Sequence, residues 1–135
     1  MASSVITKAG YLTRIRLYSY SNCTSCKNAE RVLREAGVAF EQRDLFGQPL
    51  SATELTTLFA KIGKTPGKML PRRSIPYRSL GLADQDLDER GLINLMAEYP
   101  ALIRRPVVVV GNAAVVGFDQ TGLMQLLKET GESNT

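Results

Sequence analysis

The sequence predicts an α/β fold in which one mixed sheet is built from a βαβ half and a ββα half, with helices inserted between them. Three features predict this class: an apolar alternating run at 14–20, apolar residues at helical spacing directly after it, and two valine-rich runs joined by Gly111-Asn112. The chain has 135 residues, 44% of them hydrophobic, which is enough for one buried core. We therefore expect a single domain.

The βαβ half comes first. The run RIRLYSY at 14–20 suits a short strand, and Glu30 and Arg34 are spaced to pair on the helix that follows. Gly37 is placed to end that helix. The stretch 38–44 is predicted as a second strand, which a right-handed crossover lays parallel to the first. The buried face of the helix is predicted from residues at helical spacing: Ala29, Val32, Leu33 and Ala36.

The inserted segment begins with a helix signal. Ser51 and Glu54 form a capping-box pattern ahead of an apolar helical run. The stretch 63–71 contains two glycines and two prolines and is predicted as a loop. The next stretch, 72–82, is predicted as a short helix or turn.

A third long helix and the ββα half complete the chain. The helix starts at Asp88 or a neighbour and ends at Pro100. PVVVV and AAVVG then form a tight antiparallel hairpin around Gly111-Asn112, followed by a last helix at 120–128. The buried face of the third helix is predicted from four residues: Leu92, Leu95, Met96 and Tyr99.

These elements define a predicted domain organisation. Residues 14–130 form one domain, with the helical insertion at about 51–100 inside it. Residues 1–13 are predicted as a flexible arm or as a covering strand, and 131–135 as a polar tail.

Charge narrows the function classes. The net charge of +4 is too small to argue for nucleic acid, so no direct nucleic-acid contact is expected. The first 20 residues hold no apolar stretch as long as a signal-peptide core or a membrane span, so we expect a cytoplasmic protein without membrane contact. The stretch 61–78 contains no acidic residue and is either a solvated face or a partner surface. Its basic residues are Lys61, Lys64, Lys68, Arg72, Arg73 and Arg78.

Cys23 and Cys26 form a CTSC motif between the first strand and the first helix. A structural zinc site takes four ligands, and two cysteines without any histidine do not supply them, so no metal is expected. A purely structural disulfide is disfavoured because closing so small a loop restrains little chain entropy. Two interpretations remain: a pair of buried, unreactive cysteines, or a redox-active thiol pair. The position of the motif favours the redox-active pair.

The position also gives the two cysteines different roles. Unpaired N–H groups and the positive end of the helix dipole stabilise a thiolate at Cys23, which is the predicted nucleophile. Cys26, one turn further along, is placed to attack a mixed disulfide on Cys23 and release the product. Because the chain lacks histidine, activation must come from the helix or from cations such as Lys27.

Arg105-Pro106 immediately precedes the VVVV run. A proline at this strand start is consistent with a cis peptide whose backbone faces the cysteine loop. The alternative is an ordinary trans proline at the start of a strand.

The sequence resembles the arsenate reductase/Spx family of thioredoxin-like proteins, which includes MgsR. The resemblance covers roughly residues 14–127, and its specific parts are CTSCKNA and the ending RRPVVVVGNAAVVGF. It implies a thioredoxin-like fold: a four-stranded mixed sheet with a helical insertion between the βαβ and ββα halves. CTSC is closer to Spx-like members than to the arsenate reductases.

The resemblance also implies roles for individual residues. Cys23 is the redox-active cysteine at the helix start where arsenate reductases bind the oxyanion, and Arg105, before Pro106, contacts that oxyanion. Arg73 matches a further family arginine, with Arg72 as a neighbouring candidate. Guanidinium groups and helix-start amides suit such an anion because they offset its charge. The flanking residues expected at this site are Asn22 and Thr24.

Three functions are compatible with this resemblance. The first is a thiol–disulfide oxidoreductase that exchanges electrons with a redox partner protein. The second is an Spx-like redox-sensing regulator that binds the α-subunit of RNA polymerase. The third is an arsenate reductase, although Gly117 stands where those enzymes carry a third arginine. No bound cofactor is expected, and glutathione with glutaredoxin, or thioredoxin, is the implied electron donor.

Overall fold

The computed structural model describes residues 4–6, 12–20 and 22–128, which form two compact units. The sheet unit comprises the described residues of Met1–Asp44 and Arg105–Thr135, and the helical unit comprises Leu45–Arg104. The sequence predicted one domain with an insertion at about 51–100. The inserted segment is longer and compact in itself, because its helices pack against one another.

Five strands form the sheet unit's sheet, with β2 (Leu12–Ser19) at its centre. β3 (Glu41–Asp44) pairs with β2 in parallel, and β4 (Val107–Val110) pairs with it in the antiparallel sense. β5 (Ala113–Val116) is antiparallel to β4. β1 (Ser4–Ile6) pairs antiparallel with the start of β2. The order β3-β2-β4-β5 is the predicted four-stranded mixed sheet, and β1 adds a fifth strand.

The predicted N-terminal arm, 1–13, overlaps this sheet. Its described residues are strand β1 and the first residues of β2, so this part of the arm is extended and paired. Residues 1–3 and 7–11 of the arm lie outside the described residues. So does the predicted tail at 131–135.

Helices α1 (Thr24–Glu35) and α5 (Gln120–Leu127) bury their apolar faces in the core of the sheet unit. α1 ends as predicted near Gly37, whose φ of +75° favours glycine because it has no Cβ. Arg34 donates to the Glu30 carboxylate at 2.7 Å, the predicted i,i+4 pair. The buried residues of this core are Ile15, Leu17, Ala29, Val32, Leu33, Val108, Val110, Leu123, Leu126 and Leu127.

The helical unit contains α2 (Ala52–Ile62), α3 (Ile75–Ser79) and α4 (Glu89–Glu98). The capping box predicted at Ser51 is complete: its hydroxyl accepts from the Glu54 N–H, and the Glu54 carboxylate accepts from the Ser51 N–H. α2 packs against α4. This packing accounts for the compactness of the inserted segment.

Three element predictions need correction. Ala36, predicted on the buried face of α1, is exposed, because α1 ends at Glu35 and Ala36 is its C-cap. The stretch 38–44 forms a strand only from Glu41, because the Val38 N–H is used to close α1 by donating to the Leu33 carbonyl. Tyr99 is 42% exposed rather than buried, because the main chain leaves helical geometry there, at φ −123° and ψ 86°. Met96, predicted on the same face, is fully buried.

In the described part of the chain, no helix combines the length and the apolar character needed to cross a lipid bilayer.

Candidate functional site

Cys23 lies where β2 gives way to α1, and it is the N-cap residue of that helix. Its backbone is extended, with φ −128° and ψ 114°, and its sulfur accepts a hydrogen bond from the Cys26 N–H at 3.2 Å. The sulfur therefore replaces the oxygen of an ordinary N-cap side chain. The first turn of α1 contains no acidic residue, so no carboxylate there opposes a negative charge on Cys23.

Cys26 lies one turn into α1 and is buried, with 2% of its surface exposed, whereas Cys23 is half-buried. Both are free thiols. Burial raises the pKa of Cys26 to about 12, and a hydrogen bond with Cys23 acts in the same direction. A hydrogen bond from the Tyr20 backbone and the charge of Arg105 oppose this rise in the Cys26 pKa. The two cysteines are thus linked through the Cys26 N–H and the Cys23 sulfur, but they differ in their access to solvent.

Arg105 brings a positive charge to the cysteine pair from the start of β4. The Arg105-Pro106 peptide is cis, which is one of the two conformations considered from the sequence. The guanidinium carbon of Arg105 lies 4.4 Å from the centre of the Tyr20 ring, a cation–π contact. Pro106 is buried, and its carbonyl accepts a hydrogen bond from the Gly117 N–H at 2.8 Å. The hairpin therefore holds the backbone that carries Arg105.

The Arg105 side chain carries a hydrogen-bond donor that the described residues leave unused. Its Nε is buried and has no hydrogen-bond partner among residues 4–6, 12–20 and 22–128. A buried guanidinium donor without a partner is unfavourable, and an anion or a thiolate nearby relieves it. The arrangement can therefore stabilise negative charge that develops at the cysteine sulfurs.

The sequence model of the ArsC family matches residues 18–126, which include the whole cysteine and arginine cluster. The chain belongs to the ArsC family.

Characterised relatives of this ArsC-family chain include transcriptional regulators. The chain is 28% identical over 116 residues to global transcriptional regulator Spx 1 of Oceanobacillus iheyensis, covering 86% of this chain and 88% of the relative. It is also 28% identical to the regulatory protein MgsR of Bacillus subtilis, covering 86% of this chain and 92% of that protein. These relatives confirm the predicted membership of the ArsC/Spx family.

Solved ArsC-family structures share the fold. The arsenate reductase from Vibrio cholerae matches with a TM-score of 0.76 and 25% identity, over 84% of this chain and 97% of that one. This likeness confirms the predicted thioredoxin-like α/β fold.

The structure brings together four of the predicted site residues in the sheet unit of this ArsC-family chain: Cys23, Cys26, Arg105 and Pro106. Asn22 and Thr24 flank Cys23 and are exposed, as is the Lys27 side chain. The roles assigned to these residues from the family resemblance stay predictions.

The other predicted site residues belong to the helical unit. Arg72 donates to the Tyr77 hydroxyl at 3.1 Å and to the Gly67 carbonyl at 3.2 Å, so its guanidinium already has partners. The Arg73 side chain is exposed. Three exposed lysines form no salt bridge with any residue that the structure describes: Lys61, Lys64 and Lys68.

Metal ligands are not clustered in the described residues: no group of three or more Cys, Asp or Glu side chains is placed to hold an ion.

Tyr20 is the site residue that the sequence analysis missed. It is 4% exposed and contacts both Arg105, through its ring, and Cys26, through its backbone. The sequence shows only an aromatic residue three positions before Cys23, at the end of the predicted strand. That position indicated strand, and nothing in the sequence indicated its partner 85 residues further along the chain.

Proposed function

We propose that this ArsC-family chain is a thiol–disulfide redox protein whose active pair is Cys23 and Cys26. The observation that carries the proposal is a half-buried cysteine at a helix N-cap, whose sulfur accepts from the N–H of a buried cysteine one turn along. The first is accessible to a substrate and lies where helix N–H groups stabilise a thiolate. The second is placed to resolve whatever bond the first forms.

The reaction proceeds by two exchanges. The Cys23 thiolate attacks a sulfur of a substrate disulfide, forming a mixed disulfide and releasing the other substrate sulfur as a thiolate. Cys26 then loses its proton and attacks the Cys23 sulfur. This step forms the Cys23–Cys26 disulfide and releases the second substrate thiol, so two electrons pass from the cysteine pair to the substrate.

Return of the pair to the dithiol form needs an external reductant. Glutathione with glutaredoxin, or thioredoxin, is the proposed donor class, because each delivers two electrons through the same exchange chemistry. The donor attacks the more accessible sulfur, that of Cys23, since Cys26 remains buried. No bound cofactor takes part in this proposal.

A redox titration tests the proposed pair. Reduced protein is equilibrated in glutathione buffers of graded potential, and free thiols and intact mass are measured at each point. We expect both thiols to disappear together, with the mass loss of two hydrogens, and to return on reduction. An adduct of one glutathione that never converts to an internal disulfide would refute the two-cysteine mechanism.

A second candidate function is that of an Spx-like regulator, in which the same pair is a sensor rather than a catalyst. The similarity to Spx 1 and MgsR favours it. The proposed partner is the α-subunit of RNA polymerase, and the proposed partner surface is the exposed lysines of the helical unit. Pulldown of purified α-subunit by the oxidised and the reduced protein tests this candidate. Binding in neither state would eliminate it.

Arsenate reduction is the third candidate, favoured by the likeness to the Vibrio cholerae arsenate reductase and by the unpartnered Nε of Arg105. Arsenate turnover is measured with glutathione and glutaredoxin, and separately with thioredoxin, as donors. Activity no higher than that of a Cys23→Ser control would remove this candidate.

A further inference from the structure

We infer that Tyr20 is a positioning residue for the resolving step, acting on Cys26 through its ring contact with Arg105. The inference rests on the proposed function, because it requires Cys26 to attack a mixed disulfide on Cys23. It assigns a role to a residue outside the CTSC motif.

The orientation of Arg105 depends on Tyr20. Its guanidinium carbon lies 4.4 Å from the centre of the Tyr20 ring, and the ring is 4% exposed. Within the described part of the chain, the Arg105 side chain forms no salt bridge, and its Nε has no hydrogen-bond partner. The Tyr20 ring is therefore the contact that sets the direction of this guanidinium.

The charge of Arg105 acts on the Cys26 thiol. Cys26 must lose its proton to attack, and its burial opposes the loss by raising its pKa to about 12. Arg105 and the Tyr20 backbone hydrogen bond both act in the opposite direction at the same sulfur. Residue 20 thus favours the Cys26 thiolate in two ways. Its backbone forms a hydrogen bond with Cys26, and its ring positions the charged guanidinium of Arg105.

The two ways predict different effects of substitution. A side-chain change at position 20 leaves the backbone hydrogen bond in place and removes only the platform for Arg105. Tyr20→Phe keeps the aromatic face and hence the cation–π contact. Tyr20→Leu fills similar space without that face. Arg105→Met removes the charge itself while keeping an extended apolar side chain.

The test uses a neutral aromatic disulfide, dithiodipyridine, whose released thione is followed by absorbance after rapid mixing with reduced protein. The first thione reports attack by Cys23, and the second reports resolution by Cys26. Cys26→Ser assigns the phases because it abolishes only the second. A neutral probe avoids direct attraction between the probe and Arg105.

We expect Tyr20→Leu to slow the second phase about fivefold, which corresponds to about 1 kcal/mol, and to move its pH dependence to higher pH. Tyr20→Phe should keep the wild-type second phase. Arg105→Met should match Tyr20→Leu, and the double variant should be no slower than either, because both changes remove one effect.

A second phase in Tyr20→Leu with wild-type rate and pH dependence would overturn the inference. So would a double variant whose second phase is slowed by the product of the Tyr20→Leu and Arg105→Met effects. If Tyr20→Leu does not fold, an unchanged second phase in Arg105→Met overturns it equally. A wild-type protein that shows no second phase at all would instead refute the resolving step of the proposed function.

Discussion

Cys23 and Cys26 are one helical turn apart, yet their surroundings differ. The Cys23 sulfur caps α1 and is half-buried, whereas Cys26 is 2% exposed and rests against the Tyr20 backbone. A pair with one accessible and one sheltered sulfur can divide attack and resolution between its members. The division follows from position in the helix, because Cys23 caps its end whereas Cys26 lies on the buried face of α1 with Ala29 and Val32.

The buried Cys26 thiol makes a pH-dependent contribution to stability. Its pKa is raised to about 12 in the folded chain, above the value of about 8.5 for an unfolded thiol. The raised pKa means that this contribution is complete below about pH 8.5 and is lost as the pH rises toward 12. We expect the stability difference between wild type and Cys26→Ala to shrink above about pH 8.5, by at most about 1.4 kcal/mol per pH unit.

Urea unfolding of both proteins under reducing conditions measures this difference at neutral and at alkaline pH. Using the difference cancels the titration of tyrosines and lysines, which both proteins share. A gap that stays constant across this range would show that Cys26 ionises equally in the folded and unfolded chains.

Among the individual site residues, the sequence predicted the cysteines and Arg105 but not Tyr20. CTSC at a strand–helix junction is a local pattern, and the family resemblance supplied Arg105. The contact between Tyr20 and Arg105 joins distant positions, and a single sequence holds no local signal for such a pair. Arg72 shows the reverse case, since a predicted oxyanion ligand has its own partners in Tyr77 and Gly67.

Among the elements, those with local signals at their ends were predicted best. The capping box at Ser51 and the Gly111-Asn112 turn fix where α2 begins and where the β4–β5 hairpin reverses. Tyr99 was predicted on a buried face because apolar spacing continues through it. The helix had already ended there, so helical periodicity no longer described its direction.

The N-cap of helix α5 can be tested by mutation. Asp119 caps it by accepting from the Gly122 N–H at 3.0 Å, and a Cβ on Gly122 would lie 2.5 Å from the Asp119 carboxylate. Gly122→Ala should therefore displace the cap and be neutral or destabilising, although alanine alone favours a helix by up to about 1 kcal/mol. In an Asp119→Ala background, where no cap remains, the same substitution should be stabilising.

A double-mutant cycle by urea unfolding distinguishes the two effects, with the four proteins measured side by side. Equal stabilisation by Gly122→Ala in both backgrounds would show that the added Cβ does not displace the Asp119 carboxylate.

Over the whole molecule, the chain combines a sheet unit that holds the cysteine pair with a helical unit that carries exposed basic residues. The sequence predicted the concentration of charge because it is contiguous, from Lys61 to Arg78. It did not predict a separately compact unit, since compactness depends on how α2 and α4 pack. If the regulator candidate holds, the basic residues are the surface for an acidic partner.

Charge reversal tests that surface. Lys61→Glu with Lys64→Glu should weaken capture of the RNA polymerase α-subunit and reduce its sensitivity to salt, because screened attractions are lost. Each single variant, Lys61→Glu or Lys64→Glu, is compared with Arg90→Glu as the charge-matched control, since Arg90 is exposed in the same unit but outside the basic stretch. Binding by each single lysine variant equal to that of the control would place the partner surface elsewhere.

The measurement that tests the redox account most directly is trapping of mixed disulfides by single-cysteine variants. Cys26→Ser and Cys23→Ser are each incubated with an oxidised protein disulfide, quenched by alkylation, and resolved without reductant. The account predicts stable covalent adducts with Cys26→Ser and none with Cys23→Ser. Adducts formed equally by both variants, or only through Cys26, would contradict it.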